Sequence, residues 1–336
     1  MTTTVKRDIR IDNMKGILMI LVVLGHFITL SAFPGSKQLY LIIYTFHMPA
    51  FAFLSGFCSS SEFKPKKLAA SLLYPYLVLQ TIFALFQTIT HHDLSQFQFF
   101  QPIYLSWYML STFFWKVSIP FIHTEKRSTA LIIFICSVLI AVMCGFDSSI
   151  DEHLSLSRTL CFAPFFIGGY YIKQFAGALP KESMKQRIFF TVLGLIGTGL
   201  LIHFRAAIQP EWLWQELPYV SFGYSIPFWL RLSLDVLAVI YIAVMLFVVP
   251  NRELPFLTKL GRNTIGVYAL HGLFARGLAP VLLKISFIST NWMIFSVLFS
   301  LITIVICMSA PVMRFAHYLL TFPGQWYLLK EENNKA

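Results

Sequence analysis

The chain has 336 residues, 57% of them hydrophobic and 12% charged, with a mean hydropathy of +0.69. A soluble domain carries about 25% charged residues, so this composition excludes a water-soluble globule. The net charge of +11 does not mark a nucleic-acid binder, because the lysines and arginines stand in short clusters between apolar segments, where membrane topology accounts for them.

Apolar segments fall at about 14–33, 38–58, 68–90, 103–122, 129–146, 156–174, 188–204, 229–249, 263–283 and 292–313, each close to the length that carries a helix across roughly 30 Å of hydrocarbon. None shows the period-two alternation of a barrel strand. The expected fold is therefore all-α: a polytopic integral membrane protein of about ten transmembrane helices, with the lipid bilayer as its solvent and one membrane domain over residues 1–336. The first span carries Lys15 and His26 and is read as a retained helix rather than a cleaved signal. Cys58, Cys136, Cys144, Cys161 and Cys307 lie in or beside apolar segments without a CxxC pair, which suits small buried hydrophobes better than disulfides or zinc ligands.

Ionisable residues inside a span are costly, so each is a functional hypothesis. The first span reads Asp12-Asn-Met-Lys15-Gly-Ile-Leu-Met-Ile-Leu-Val-Val-Leu-Gly-His26. At about 100° per residue, the eleven residues from Lys15 to His26 return to within about 20°, and Asp12 lies within about 40° of His26. The three share one helix face. Lys15 and His26 are roughly 16 Å apart along the axis, and Asp12 and His26 about 21 Å, so a partner that orients His26 has to come from another helix. This face suits a ligand with an anionic head and a long reactive arm, as in acyl-coenzyme A, with Lys15 at the phosphates and His26 at the reacting end. Histidine serves as a general base near neutral pH or as a nucleophile, and both roles stay open. Taken singly, Lys15 also reads as a snorkelling interfacial lysine and His26 as a packing histidine.

The second span contains Tyr44-Thr-Phe-His47-Met-Pro49 and ends Leu54-Ser-Gly-Phe57. His47 is a candidate for the same cavity, and Ser55-Gly56 permits close helix contact. Lys64, Lys66 and Lys67 follow, either as topological charge or as phosphate-binding point charges. Trp107-Tyr108 lies in the fourth span, where tight packing is the favoured role. Arg158 near the start of the sixth is a candidate to hold an acceptor glycan or a carboxylate, or is a snorkelling interfacial arginine. The loop at about 205–228, the longest on its side, holds Trp212, Trp214, Tyr219, Phe222 and Tyr224, as an interface belt or a sugar-stacking surface. His271 in the ninth span lines the cavity or packs. No metal site is expected, since His26, His47 and His271 lack ligand spacing within any one helix.

Loop charge sets the orientation. One side carries Lys6, Arg7, Arg10, Lys64, Lys66, Lys67, Lys126, Arg127, Lys173, Lys181, Lys185, Arg187, Arg252, Lys259, Arg262, Lys330 and Lys335. The other carries Lys37, Arg205 and Lys284 with Asp93, Asp147, Asp151, Glu152, Glu211 and Glu216. The positive-inside rule places both termini in the cytoplasm.

The run from Asp12 to His26, the phrase Phe46-His-Met-Pro-Ala-Phe-Ala-Phe-Leu-Ser-Gly-Phe57, the basic loop before Pro75 and the phrase Leu260-Gly-Arg-Asn-Thr-Ile-Gly-Val-Tyr-Ala-Leu-His271 together resemble the membrane acyltransferase-3 family, and within it the fucose 4-O-acetylase-like branch. The resemblance runs nearly the length of the chain. It implies transfer of an acyl group, often acetyl, from a cytoplasmic acyl-CoA to a sugar hydroxyl on a lipid-linked or extracytoplasmic glycan. Acetyl-CoA or another acyl-CoA then enters as donor substrate, and no permanently bound cofactor is expected. Many family members carry arginine, ten residues, then histidine; here Lys15 takes the arginine position, which keeps the charge and loses the bidentate fork. By the same resemblance Lys66 and Lys67 match a basic donor-binding motif.

Three readings follow. The first is O-acetylation of a cell-envelope or exported carbohydrate at a plasma membrane of bacterial cytoplasmic type. His26 is catalytic in it, Lys15, Lys66 and Lys67 hold the donor, and Asp12, His47, Arg158 and His271 give support or bind substrate. The alternative is a secondary transporter of a small polar solute, although inverted repeats are not evident. A purely structural subunit ranks last, because it leaves the Lys15–His26 face unexplained.

Overall fold

The computed structural model describes residues 8–91, 100–181, 183–222 and 228–324. Lys6, Arg7, Asp93, Tyr224, Lys330 and Lys335, which entered the topology and loop readings, lie outside the described residues.

The described residues are helical throughout their regular structure. In chain order the helices are α1 (Ile9–Ile28), α2 (Ser36–Phe57), α3 (Pro65–Leu68), α4 (Tyr74–His91), α5 (Trp107–Val117), α6 (Ile119–Ile122), α7 (Arg127–Cys144), α8 (Leu156–Ala176), α9 (Met184–His203), α10 (Phe228–Val248), α11 (Pro255–Arg262), α12 (Thr264–Leu273), α13 (Ala279–Leu282), α14 (Ser286–Thr290), α15 (Trp292–Cys307) and α16 (Ala310–Leu320). Two π-helical turns, Ala69–Leu73 and Phe274–Leu278, join α3 to α4 and α12 to α13.

Helical segments stand at all ten expected spans. Among the described residues, seven helices are long and apolar enough to cross a membrane, and α15 with α16, bent by 71°, makes an eighth if counted as one span. The segments at 103–122 and 156–174 fall outside that set for different reasons. In the first, α5 is 11 residues long and stops ahead of the short, proline-started α6. In the second, α8 is long enough but carries Arg158, Lys173, Gln174 and a Gly-Gly pair among its apolar residues.

Polarity is inverted relative to a soluble fold. Leu131, Ile132, Ile135 and Leu139 of α7, Ile188, Phe189, Leu195 and Ile196 of α9, and Ile294, Val297 and Val305 of α15 are exposed, while Asn13, Gln80, Ser106, Ser111, Ser296, Ser300 and Thr303 are buried. Hydrocarbon supplies no hydrogen bonds, so polar groups must turn inward and pair. Ser300 Oγ donates to the Ser296 carbonyl at 2.6 Å. Gln80 accepts from Ser106 Oγ at 2.6 Å and Ile103 N–H at 2.9 Å and donates to the Gln101 carbonyl at 2.7 Å. This is the structure of a polytopic membrane protein.

The chain forms two compact units. One comprises Met1–Phe51, Leu179–Pro210 and Ser233–Met313; the other comprises Ala52–Ala178, Glu211–Leu232 and Arg314–Ala336. In the first, α1 packs against α11, α12 and α15, and Trp292, fully buried, donates its indole N–H to the Phe27 carbonyl at 2.9 Å. In the second, α8 packs against α5 and α7, and its backbone meets the end of α2: a Cβ at Gly56 would collide with the Phe166 carbonyl, and one at Gly169 with the Phe53 carbonyl. The Ser55-Gly56 pair thus serves the close contact expected of it. All five cysteines are free thiols.

Candidate active site

The charged start of α1 is tied down before its reactive end is reached. Asp8 caps the helix by accepting from Arg10 N–H at 2.9 Å. The Arg10 guanidinium, 5% exposed, donates to the carbonyls of Pro180 and Leu246 at 2.9 and 3.0 Å. Asn13, fully buried, donates to the carbonyls of Pro250 and Arg252 at 3.0 and 2.9 Å and accepts from Thr258 Oγ1 at 2.6 Å. Asp12, buried, receives Arg262 at 3.2 Å, and Arg262 also meets Glu253 at 3.0 Å. Backbones touch here as well. A Cβ at Gly261 would collide with the Asp12 carbonyl, and one at Gly16 with the Leu257 carbonyl. Asp12 therefore secures α11 against α1; its carboxylate serves Arg262, at the opposite end of the helix from His26.

Lys15 lies one turn further along, half-buried, and makes no ion pair among the described residues. His26, eleven residues on and also half-buried, has its ring 5.3 Å from that of His271, tilted by 38°. His271 is fully buried and donates Nδ1–H to the Val267 carbonyl at 2.8 Å. A carbonyl only accepts, so this bond places the proton on Nδ1 and leaves Nε2 as an acceptor. His47 uses the same device: Nδ1–H donates to the Ile43 carbonyl at 2.8 Å, with the ring 5% exposed. Tyr44 packs its ring edge 3.0 Å from the position a Cβ would take on Gly25, next to His26, and stands edge-on to His47 at 4.7 Å. One unit thus holds His26, His47 and His271 on α1, α2 and α12, with His26 against His271. Among the described residues no three His, Cys, Asp or Glu side chains gather as they would around a metal ion.

Lys66 and Lys67 belong to the other unit. Both are exposed, on the short α3 that Pro65 begins and immediately before the first π-helical turn, while Lys64 pairs with Glu62 at 2.9 Å. Arg158 is held by its own chain. Its guanidinium meets Glu216 at 3.0 Å, donates to the Trp214 carbonyl at 3.2 Å and lies 4.9 Å over the Trp107 ring. The Glu216 carboxylate thus comes from the chain itself. Beside it, burial and the neighbouring Glu216 push the Glu152 carboxyl up, with Arg158 opposing. Trp107 stacks on Phe162 at 5.6 Å, and Tyr108 shares a 2.8 Å hydrogen bond with Ser55, which is the packing role expected of that pair.

Sequence reasoning passed over Arg10, Asn13, Thr258 and Gln80 as functional positions. Asn13 and Gln80 carried a usable signal, since each is a polar side chain in or beside an apolar run and so requires a partner. Arg10 and Thr258 carried none, because only the folded chain shows which carbonyls they serve.

The family model described as "Acyltransferase domain" matches residues 8–310, which takes in α1, the basic α3 and the α11–α12 segment together. The chain belongs to the acyltransferase-3 family. His26 and its neighbours fall within the matched residues, and Lys15 and His26 lie on one helix. The chain is also similar to two curated relatives, both named nodulation protein NolL. The protein from Sinorhizobium fredii (strain NBRC 101917 / NGR234) is 46% identical over 59 residues, 16% of each chain. That from Mesorhizobium japonicum (strain LMG 29417 / CECT 9101 / MAFF 303099) is 27% identical over 213 residues, 56% of this chain and 54% of the relative. These matches span no more than about half the length of either relative. No solved structure matches the chain.

Proposed function

We propose that this acyltransferase moves an acetyl group from acetyl-CoA, entering from the cytoplasm, to a hydroxyl of a cell-envelope or exported glycan, as a fucose 4-O-acetylase-like enzyme of a bacterial plasma membrane. The observation that carries this reading is α1 itself: Lys15 and His26 are both half-buried on one helix, on one face and roughly 16 Å apart along the axis. A lysine at the entrance holds phosphate as a point charge, and the thin pantetheine arm spans the distance to the imidazole. Lys66 and Lys67, exposed on α3, are the basic pair that the family resemblance assigns to donor binding.

The chemistry asked of His26 is general-base catalysis. Its unprotonated ring nitrogen takes the proton of the acceptor hydroxyl as that oxygen bonds to the thioester carbonyl carbon. The carbon–sulfur bond then breaks, and the imidazolium returns the proton to the departing thiolate, giving acetylated glycan and free CoA-SH.

The test is transfer of radiolabelled acetyl from acetyl-CoA by purified protein in liposomes, with extracted cell-envelope glycan as acceptor and His26→Ala beside wild type. Label in glycan with wild type and none with the variant is the expected result. A folded His26→Ala protein with full transfer overturns the role of His26, and solute flux without acyl-CoA and without acetylation overturns the reaction.

A further inference from the structure

The start of α1 leaves a chemical question open. A histidine base works best when its second ring nitrogen is held by a partner that fixes the tautomer and ring angle and steadies the imidazolium once it forms. Asp12 is on the same helix, but it is about 21 Å along the axis and is engaged by Arg262 at 3.2 Å. A positioning partner therefore comes from another helix.

His271 meets each requirement. It is fully buried on α12, a helix packed against α1, with its ring 5.3 Å from that of His26. The Val267 carbonyl one turn earlier accepts from Nδ1–H at 2.8 Å, which fixes the ring and dedicates Nε2 as an acceptor. That Nε2 is buried and makes no hydrogen bond among the described residues. A buried acceptor left without a donor is costly, and the ring beside it is one that can donate. At that centroid separation two ring nitrogens turned toward each other stand about 3 Å apart, within hydrogen-bond reach, and catalytic hydrogen bonds commonly tighten only when substrate is bound.

Resting on the reading of His26 given above, we propose that His271 is the positioning residue of this acyltransferase: its Nε2 accepts a hydrogen bond from the His26 ring, which leaves the other His26 nitrogen unprotonated toward the acceptor hydroxyl. His271 takes the part that a carboxylate or an amide plays in a nucleophile–histidine triad, here as a neutral group suited to an apolar interior. It exchanges no proton. It accepts from neutral His26 before the transfer and from the imidazolium during it.

The experiment compares wild type, His26→Ala, His271→Phe and His271→Gln in acetyl transfer with both substrates varied. His271→Phe keeps a ring and removes the acceptor, whereas His271→Gln places an amide oxygen near the lost Nε2. The expected result is a fall in kcat of about 100-fold for His271→Phe, within the range that positioned acid–base groups supply. KM for each substrate should stay within about 3-fold, and His271→Gln should recover at least a tenth of the wild-type kcat. A His271→Phe enzyme with near wild-type kcat overturns the proposal. So does an equal fall in two well-folded variants, since a merely structural ring would show no preference for an acceptor. If His26→Ala retains activity, the reading of His26 fails and this one with it; if His26→Ala is dead and His271→Phe active, only this one fails. A readout independent of turnover is nitrogen NMR of imidazole-labelled wild-type protein, with the His271 signals assigned by their loss in His271→Gln. An Nδ1–H tautomer at His271 is required, and an Nε2–H tautomer rules the arrangement out.

Discussion

Arg262 lies 3.2 Å from Asp12 across 250 positions of sequence, and the carboxylate it reaches is almost wholly buried while the guanidinium remains 39% exposed. The asymmetry predicts unequal mutants. Arg262→Ala takes a guanidinium away from a buried carboxylate, the costly way to break such a pair. Glu253→Ala removes a carboxylate that is 62% exposed, where an ion pair contributes little. The thermal midpoint in detergent should drop by several degrees for Arg262→Ala and stay within about one degree for Glu253→Ala. Asp12→Asn/Arg262→Ala should recover part of the loss, because the buried charge is gone.

The backbone contact between α1 and α11 gives a second prediction. Gly261→Ala and Gly16→Ala each drive a methyl group into a carbonyl of the facing segment, and overpacking of this kind costs typically about 1–3 kcal/mol, more where backbone must move. Gly199→Ala meets no atom within 4 Å and lies inside helix α9, where alanine is the better helix former by about 1 kcal/mol. Yield and thermal midpoint of the purified proteins should separate the first two variants from the third, with Gly199→Ala equal to wild type or above it.

These contacts also show what was legible in the sequence. The helices and their approximate places followed from apolar run lengths, because hydrocarbon leaves a backbone few alternatives. The shared face of Lys15 and His26 followed from helical periodicity. The partners of that face did not. Asp12 lies on the same stripe, yet its charge is spent on α11, and the ring beside His26 comes from a residue 245 positions later in the numbering. Pairing between distant helices is a property of packing, and periodicity within one helix holds no record of it. Arg158 shows the same limit: its place at the start of the sixth span made it a candidate for an acceptor glycan or carboxylate, and nothing local indicated that Glu216 pairs with it.

Lys15 offers a kinetic prediction. A phosphate held by a half-buried ammonium is a charge-assisted contact of about 1.5–3 kcal/mol, so Lys15→Ala should raise KM for acetyl-CoA by roughly 10–100-fold with a smaller change in kcat. Lys15→Arg keeps the charge and should stay within about 5-fold of wild type. A loss of kcat at unchanged KM would place Lys15 at the reacting end of the donor instead.

The Glu152 carboxyl supplies a pH dependence. Burial and Glu216 raise it from its ordinary value of 4.5, against the pull of Arg158. A carboxyl raised on folding contributes stability that is complete below its unfolded value and fades as pH climbs through the folded one. The segment around Glu216 should therefore be held more firmly near about pH 4.5 than near pH 7.5. Glu152→Gln, which mimics the protonated form, should flatten that part of the profile. Thermal midpoints measured across this range for wild type and variant provide the check, and parallel profiles would dissociate Glu152 from the effect.

The clasp at the start of α1 has a consequence for how the chain is made. Synthesis proceeds at about 5–20 residues per second, so Arg262 is added roughly 12–50 s after Asp12. Through that interval α1 is already a candidate for the bilayer, while Arg10, Asp12 and Asn13 wait for carbonyls and side chains on segments the ribosome has yet to deliver. The nascent first helix is thus an unfinished object in the membrane, and any chain that stops before α11 lacks the Arg262 and Thr258 side chains that meet Asp12 and Asn13 in the folded protein. Insertion machinery that shelters polar helices, and proteases that patrol for them, should treat α1 as the part of this protein most in need of an escort.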